Sequence, residues 1–270
     1  MLRIASLFVY PVKSCRAVPL STAEVEPWGL AGDRRWMVLT PDRKFVTQRK
    51  VPALATVGVR VRADGVLSLT APGLDPLEVV PPRDGAPALI RTEVREVRLL
   101  LAGEPAAAWF GKLCGEPVDL AWLADPDQRR PDPELSLPTD RINLSDAFPV
   151  HLVTEASLAE LNRLIAARGT PAEAVRMAQM RPNIVLDGSE PWAEDSWVGR
   201  TVRIGTVPFR VVRRTERCVV ATVDQKTGIK GREPLRVLAR HRNIDQELLF
   251  GVHLIPDGPG GLRVGDEVSL

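Results

Sequence analysis

The sequence is poor in the residues that build metal clusters and disulfide frameworks. It has three cysteines, Cys15, Cys114 and Cys218, far apart and with no Cys-x-x-Cys pair. An odd, scattered set argues against a disulfide scaffold and against a structural zinc site. It also excludes a built-in iron–sulfur cluster, which takes about four cysteines. The three histidines, His151, His241 and His253, form no His-x-His or His-Glu-x-x-His pattern, so each reads as structural rather than as a ligand. No Gly-x-Gly-x-x-Gly turn is present, and Gly258-Pro259-Gly260-Gly261 reads as a turn between strands. That removes the usual flavin and nicotinamide sites. There are no internal repeats and no low-complexity tracts. No run approaches the roughly 20 apolar residues that cross a bilayer, and the opening residues 2–10 lack the flanks of a signal peptide. The expectation is a cytoplasmic protein in a reducing setting, with no membrane partner. A net charge of +2 creates no strong global field, which argues against nucleic acid as a partner. The pI near 8.6 leaves room for a local basic pocket.

What is present reads as mainly β. At 270 residues the chain suits one large domain or two modest ones. Residues 2–10 read as a strand, 35–39 as another after the Trp28–Gly32 turn, and Ala63-Asp64-Gly65 as a hairpin before 66–69. A helix is expected over 105–114, capped by Gly115. Residues 125–138 carry four prolines among charged side chains and read as an exposed boundary. This gives a β-rich unit over 1–124 and a β-barrel over 125–270. In the second unit, 151–153 reads as a strand. Thr154 caps a helix carrying Leu158, Leu161, Leu164 and Ile165 on one face and ending at Arg168-Gly169. Residues 183–186, the hairpin 202–211, and 248–252 and 263–268 complete the strands. The fold expected is a mostly antiparallel β-barrel with a few helices.

The chemistry is placed at Thr215-Glu216-Arg217-Cys218-Val219-Val220-Ala221-Thr222-Val223-Asp224. A cysteine here follows an arginine and enters an apolar, β-branched run that reads as a strand. The run ends in a polar turn, 224–228. Arg217 supplies the positive charge that favours a thiolate, the form that binds metals or attacks substrates. Taken by itself, a cysteine beside valine reads first as a small buried hydrophobe.

Arg217-Cys218 and the run to Thr227-Gly228 resemble the signature of the MOSC family. Tyr10-Pro11-Val12-Lys13-Ser14-Cys15, Gly32-Asp33-Arg34-Arg35-Trp36 and Arg181-Pro182-Asn183-Ile184 follow that family's order and rough spacing. The resemblance covers nearly the whole chain and is closest to the amidoxime-reducing branch. It implies a molybdenum cofactor (molybdopterin) whose metal is ligated by Cys218, the only protein ligand. One soft thiolate suffices there, because a pterin dithiolene supplies the rest. It further implies that Lys13, Ser14, Arg34, Asp146, Arg181, Asn183 and Arg217 contact the cofactor. Arg181 lies near the metal or substrate, and Arg35 faces away as a strand neighbour. Glu216 stands where the relatives are expected to have a small residue. Cys15 and Cys114 read as structural. The implied activity is two-electron reduction of small N-hydroxylated substrates. Electrons are expected from a separate protein of ferredoxin, flavoprotein-reductase or cytochrome b5 type, since no ferredoxin segment follows the barrel. Two other readings remain: a cofactor or sulfur carrier with a persulfide on Cys218, and a non-catalytic barrel binding an anionic ligand.

Overall fold

The computed structural model describes residues 1–91, 96–168 and 174–270. Its largest sheet begins with the opening strand, Arg3–Val9. The buried side chains of that strand are Ile4, Leu7 and Val9. The alternation slips by one after Ile4 because a bulge falls between Ile4 and Ser6. This strand pairs antiparallel with Ile184–Asp187, which runs parallel to Val150–Thr154. The order continues through Glu247–Pro256, Val207–Glu216, Thr201–Ile204 and Val268–Ser269, all antiparallel. Hydrogen bonds from Ile4 N to Asp266 O (2.9 Å), Gly265 N to Ile4 O (2.8 Å) and Val268 N to Leu2 O (3.0 Å) bring the last segment back to the first strand. The sheet therefore rolls into a barrel, filled by Leu152, Leu186, Phe209, Leu254 and their neighbours.

The parallel pair needs a crossover, and helix Glu155–Ala166 provides it. Thr154 caps that helix, its Oγ1 accepting from Ser157 N at 3.1 Å. Leu161 and Ile165 pack outside the barrel with Phe250 and with Leu238 of helix Leu235–His241, a helix not anticipated from the sequence. Gly169, expected at the first helix's end, lies outside the described residues.

The remaining strands form a second body. Pro87–Arg91, Glu96–Leu101, Asp119–Trp122, Trp36–Leu39 and Phe45–Val46 make one antiparallel sheet, and Gly58–Val61, Leu67–Ala71 and Leu74–Val79 make another. Helix Glu104–Cys114 ends on Gly115 at φ 71°, a left-handed cap that glycine adopts without strain. Its Phe110 joins Trp36, Leu54 and Leu67 in a separate apolar core. Residues 125–138 connect the two bodies with a single 3-10 turn, Pro126–Gln128. The hydrogen bonding crosses that connection: Arg3–Val9 and Val18–Leu20 belong to the barrel sheet, and Thr22–Glu26 pairs with Gly260–Arg263. Residues 3–9 and 18–30 thus fold with the second half; the chain touches the other body in the turn after Tyr10, where Val12 and Cys15 join its core, and passes into it after Leu30.

One expected element is corrected. The β-branched run after Cys218 is no strand; Val219–Thr222 coil into a 3-10 turn. Val207–Glu216 has already ended, and the carbonyl of Ala221 accepts from Gln179 Nε2 at 3.2 Å in place of a strand neighbour. Tertiary contacts override β propensity here.

Candidate functional site

A cavity of about 320 Å³ opens where the barrel meets the second body. All eight residues singled out from sequence line it: Lys13, Ser14, Arg34, Asp146, Arg181, Asn183, Arg217 and Cys218. They come from five separate segments, and each is held by specific contacts.

Lys13 and Ser14 sit in the turn after Tyr10. Lys13 N donates to Trp36 O at 2.7 Å, which fixes the turn to the second body. Its ammonium donates to Leu144 O at 2.6 Å and to Asp146 Oδ1 at 2.5 Å. Burial pushes the Lys13 pKa down while Asp146 opposes the shift. Asp146 in turn is held well below the usual carboxylate range, by Lys13 first and then by Arg49 and Arg34 against the effect of burial. Its side chain remains 63% exposed, so the pair is a rim contact of small net value.

Arg34 is the hub between the bodies. Its guanidinium pairs with Asp33 and donates to Asn183 Oδ1 at 3.0 Å and Arg181 O at 3.3 Å. Asp33 is fully buried and also accepts from Tyr10 N at 2.7 Å and Asn143 Nδ2 at 3.1 Å. Asn183 donates to Phe8 O at 3.1 Å and accepts from His151 N at 3.1 Å, tying two barrel strands to Arg34. Arg181 donates to Cys15 O at 2.8 Å. Tyr10, the only tyrosine in the chain, lies beneath both guanidiniums, with Arg34 at 4.6 Å and Arg181 at 4.2 Å from its ring centroid. Burial raises the Tyr10 pKa to about 12, so the ring meets the arginines as a neutral π face.

Ser14 (φ 69°), Arg34 (φ 46°) and Arg181 (φ 53°) all adopt left-handed backbone. For a residue with a Cβ this costs on the order of 1 kcal/mol each. Three such residues around one cavity mark a place where side-chain direction outweighs backbone comfort. Arg35 behaves differently: it turns from the cavity and clamps Leu123 O (3.0 and 2.7 Å) and Ala124 O (3.1 Å).

On the barrel side, the Val207–Glu216 strand carries a register break between Arg214 and Glu216. A regular strand would alternate faces. The break and the end of the strand let Thr215, Glu216, Arg217 and Cys218 line the cavity in succession. Arg217 N donates to Leu248 O at 2.7 Å and its Nη2 to Met180 O at 2.9 Å. Burial lowers the Arg181 and Arg217 pKa values to about 10, which leaves both charged at neutral pH. Cys15, by contrast, is sealed in the apolar core with its thiol pushed up by burial, and Cys114 is raised to about 11 for the same reason.

Several lining residues were not anticipated. Arg49 donates to Asp146 Oδ2 at 3.4 Å; burial opposes its charge, but Asp146 and Cys218 outweigh that and raise its pKa. Arg213 and Thr215 reach the cavity past a second register break, between Val211 and Arg213, so the Phe209, Val211 alternation does not point to them. His151 and His253, paired across neighbouring strands with rings 5.8 Å apart, also reach the cavity. Desolvation, then Arg217 and Arg213, pushes His253 down to about 3. Desolvation, then Arg217 and His253, holds His151 well below its ordinary value.

The sequence matches the MOSC N-terminal beta barrel domain over residues 1–117 and the MOSC domain over 139–269. The chain belongs to the MOSC family. Among curated relatives, mitochondrial amidoxime-reducing component 1 of Homo sapiens is 34% identical, across 99% of this chain and 82% of that protein. The human amidoxime reducing component 2 is 32% identical over 98% of this chain and 82% of its own length. The component 1 of Danio rerio is 31% identical over 98% and 83%.

Proposed function

We propose that this MOSC protein is a molybdenum-cofactor-dependent reductase of N-hydroxylated compounds, with Cys218 the only protein ligand of the metal. The observation that carries the reading is the convergence of the eight residues on one cavity. The lining also fits such a group chemically. It combines one thiol with two guanidiniums, of Arg181 and Arg217, that pair with no carboxylate among the described residues. It further presents three buried polar atoms, Thr215 Oγ1, Arg217 Nε and His253 Nδ1, that have no partner among the described residues. Buried polar atoms are ordinarily satisfied, and all three belong to residues that line the cavity.

Cys218 supplies the soft ligand. Lys13, Ser14, Arg34 and Asn183 are the donors placed for the phosphate and the polar pterin edge, with Asp146 orienting Lys13. Arg181 and Arg217 bring uncompensated positive charge to the metal end. When bound, the cofactor supplies two-electron oxo-transfer chemistry. The overall change is R–NH–OH plus two electrons and two protons giving R–NH₂ and water. His253, kept neutral, offers an uncharged hydrogen-bonding Nδ1 rather than a further cation. Phe148, Met180 and Val220 contribute the apolar lining that keeps water from the thiol. The electrons come from a separate carrier protein, of ferredoxin, flavoprotein-reductase or cytochrome b5 type.

The test is turnover of benzamidoxime by molybdenum-loaded protein. Reduced viologen should drive it and NADH alone should not. NADH-driven activity of the pure chain would refute the need for a separate carrier. Loaded protein that reduces no N-hydroxylated compound with viologen would favour cofactor carriage instead.

A further inference from the structure

The turn that follows Cys218 does more than close the cavity wall. Val219–Thr222 lead directly into residues 223–232, buried at Val223 and Gln225 and exposed at 226, 227 and 229–232. Ile229 at the tip of this segment is 68% exposed, and Lys226, Lys230 and Arg232 around it are exposed as well. None of the three cations pairs with a carboxylate among the described residues. The acids nearby are already committed. Asp224 Oδ1 accepts from Lys226 N and Thr227 N, both at 2.8 Å. Glu233 accepts from Val237 N at 3.2 Å and faces Arg168.

The segment is rigidly held for something so exposed. Asp224 N donates to Ile229 O at 2.9 Å, Gly231 N to Thr222 O at 2.8 Å, and Val223 bridges Lys230. Gln225 exchanges amide hydrogen bonds with Gln48, both at 3.2 Å. Gly228 lies so close to the second body that a Cβ there would sit 3.2 Å from Pro52 O. Lys230 Nζ donates to the backbone carbonyl of Arg49 at 2.7 Å, and the Arg49 side chain lines the cavity. The tip is thus a preformed platform sharing a wall with the thiol. An apolar residue ringed by unpaired cations has the anatomy of a protein contact with an acidic partner. Because the platform is already ordered, docking costs little conformational entropy.

We propose that residues 226–232 are the docking surface for a small acidic electron-carrier protein. The proposal rests on the reductase reading, which requires two electrons per N–O bond broken. A one-electron carrier therefore docks twice per turnover, is oxidised each time, and leaves the substrate as amine and water with two protons taken from solvent. Ile229 enters the partner's surface, and the three cations align it over the mouth beside Arg49.

The experiment compares two reductants on the molybdenum-loaded chain with benzamidoxime: saturating reduced viologen, and a plant-type ferredoxin kept reduced by its NADPH-dependent reductase. The variant combines Lys226→Glu and Arg232→Glu, leaving Lys230 on the Arg49 carbonyl; a second combines the same two positions changed to Gln. The expected result is viologen-driven kcat unchanged in both. Ferredoxin-driven kcat/KM should fall at least tenfold in the Glu variant and by an intermediate factor in the Gln variant. The wild-type ferredoxin rate should fall as salt rises. Titration of oxidised ferredoxin onto the chain should show the same order of affinity without any turnover. Unchanged ferredoxin kinetics and binding in the Glu variant would overturn the proposal. So would a wild-type chain active with viologen but inert with ferredoxin, or one binding a short single-stranded oligonucleotide through these residues more tightly than ferredoxin. A loaded wild-type chain inactive with viologen would instead count against the reductase reading, and the ferredoxin titration would still decide the docking surface.

Discussion

Lys13, Arg34 and Arg49, from the first fifty residues, each meet a carboxylate at the cavity. Arg181 and Arg217, from the second half, meet no carboxylate among the described residues: Arg181 donates to Cys15 O and, at 3.4 Å, to Gln225 Oε1, and Arg217 to Met180 O. The two groups share one space and one chemistry, yet their electrostatics differ. On the first wall, charge is balanced internally and the cations fix geometry: Arg34 joins Asp33, Asn183 and Arg181 O in one network. At Arg181 and Arg217 positive charge is desolvated and left unbalanced, whereas the neighbouring Arg213 pairs with Glu247 at 2.8 Å. A partly buried cation without a counter-charge lowers stability, so its presence points to a ligand that completes it. The paired wall builds the cavity; the unpaired wall selects an anion for it.

The largest effect should separate the walls by stability. Arg34→Ala leaves the buried Asp33 carboxylate without its cation and should cost about 3 kcal/mol, the range for breaking a buried pair. Arg217→Ala loses packing and one carbonyl contact, and Arg181→Ala loses two acceptors and its contact with the Tyr10 ring, but both relieve desolvation, so each should cost about 1 kcal/mol. Urea unfolding of cofactor-free protein measures all three. Equal losses in Arg34→Ala and Arg181→Ala would erase the distinction.

Cofactor retention should then invert the ranking for the second wall. Losing one charged hydrogen bond costs about 1.5–3 kcal/mol, or roughly ten- to a hundredfold in affinity. Arg181→Ala and Arg217→Ala should therefore purify with substoichiometric molybdenum while remaining nearly as stable as wild type. Arg34→Ala should lose both cofactor and stability. Full molybdenum in Arg217→Ala would show that the unbalanced charge serves something else.

Acid sensitivity gives a smaller signal of the same wall. His253 is pushed down to about 3 by desolvation first and then by Arg217 and Arg213, and His151 is held low by desolvation, Arg217 and His253. A base whose folded pKa lies below its unfolded one takes up its proton first in the unfolded chain. Folding stability is therefore full above about pH 6.5 and falls as pH drops below it, by at most about 1.4 kcal/mol per pH unit for each histidine. Arg217→Ala removes one repulsive cation, so the folded histidines should take up protons at a higher pH and the decline should level off sooner, read from urea midpoints carried below about pH 4.5. An unchanged profile there would leave burial as the whole cause. The smallest effect belongs to Asp146→Asn, under about 1 kcal/mol, because its carboxylate reaches solvent.

The sequence carried the site better than it carried the local folds around it. Lys13, Arg34, Arg181 and Cys218 stood in short motifs with resemblance to a family, and the structure brings them to one cavity. Their geometry was not readable: left-handed backbone at Arg34 and Arg181 depends on tertiary bonds to Tyr10 O and Cys15 O. Arg49, an exposed residue between buried Gln48 and exposed Lys50, had no local pattern to distinguish it. The Val219–Thr222 turn was hidden for a related reason, since β-branched composition favours a strand and only Gln179, far upstream, shows the carbonyl of Ala221 to be taken. Barrel closure was equally nonlocal. Residues 2–4 and 265–268 meet across the full length of the chain.

The central claim is that the unbalanced wall and one thiol hold a molybdenum cofactor. It is tested most directly by elemental analysis of wild-type and Cys218→Ser protein purified from a host that makes the cofactor. The account predicts close to one molybdenum per wild-type chain, none in folded Cys218→Ser, and full occupancy in Cys114→Ser. Wild-type protein without molybdenum, or Cys218→Ser retaining it, would contradict the account.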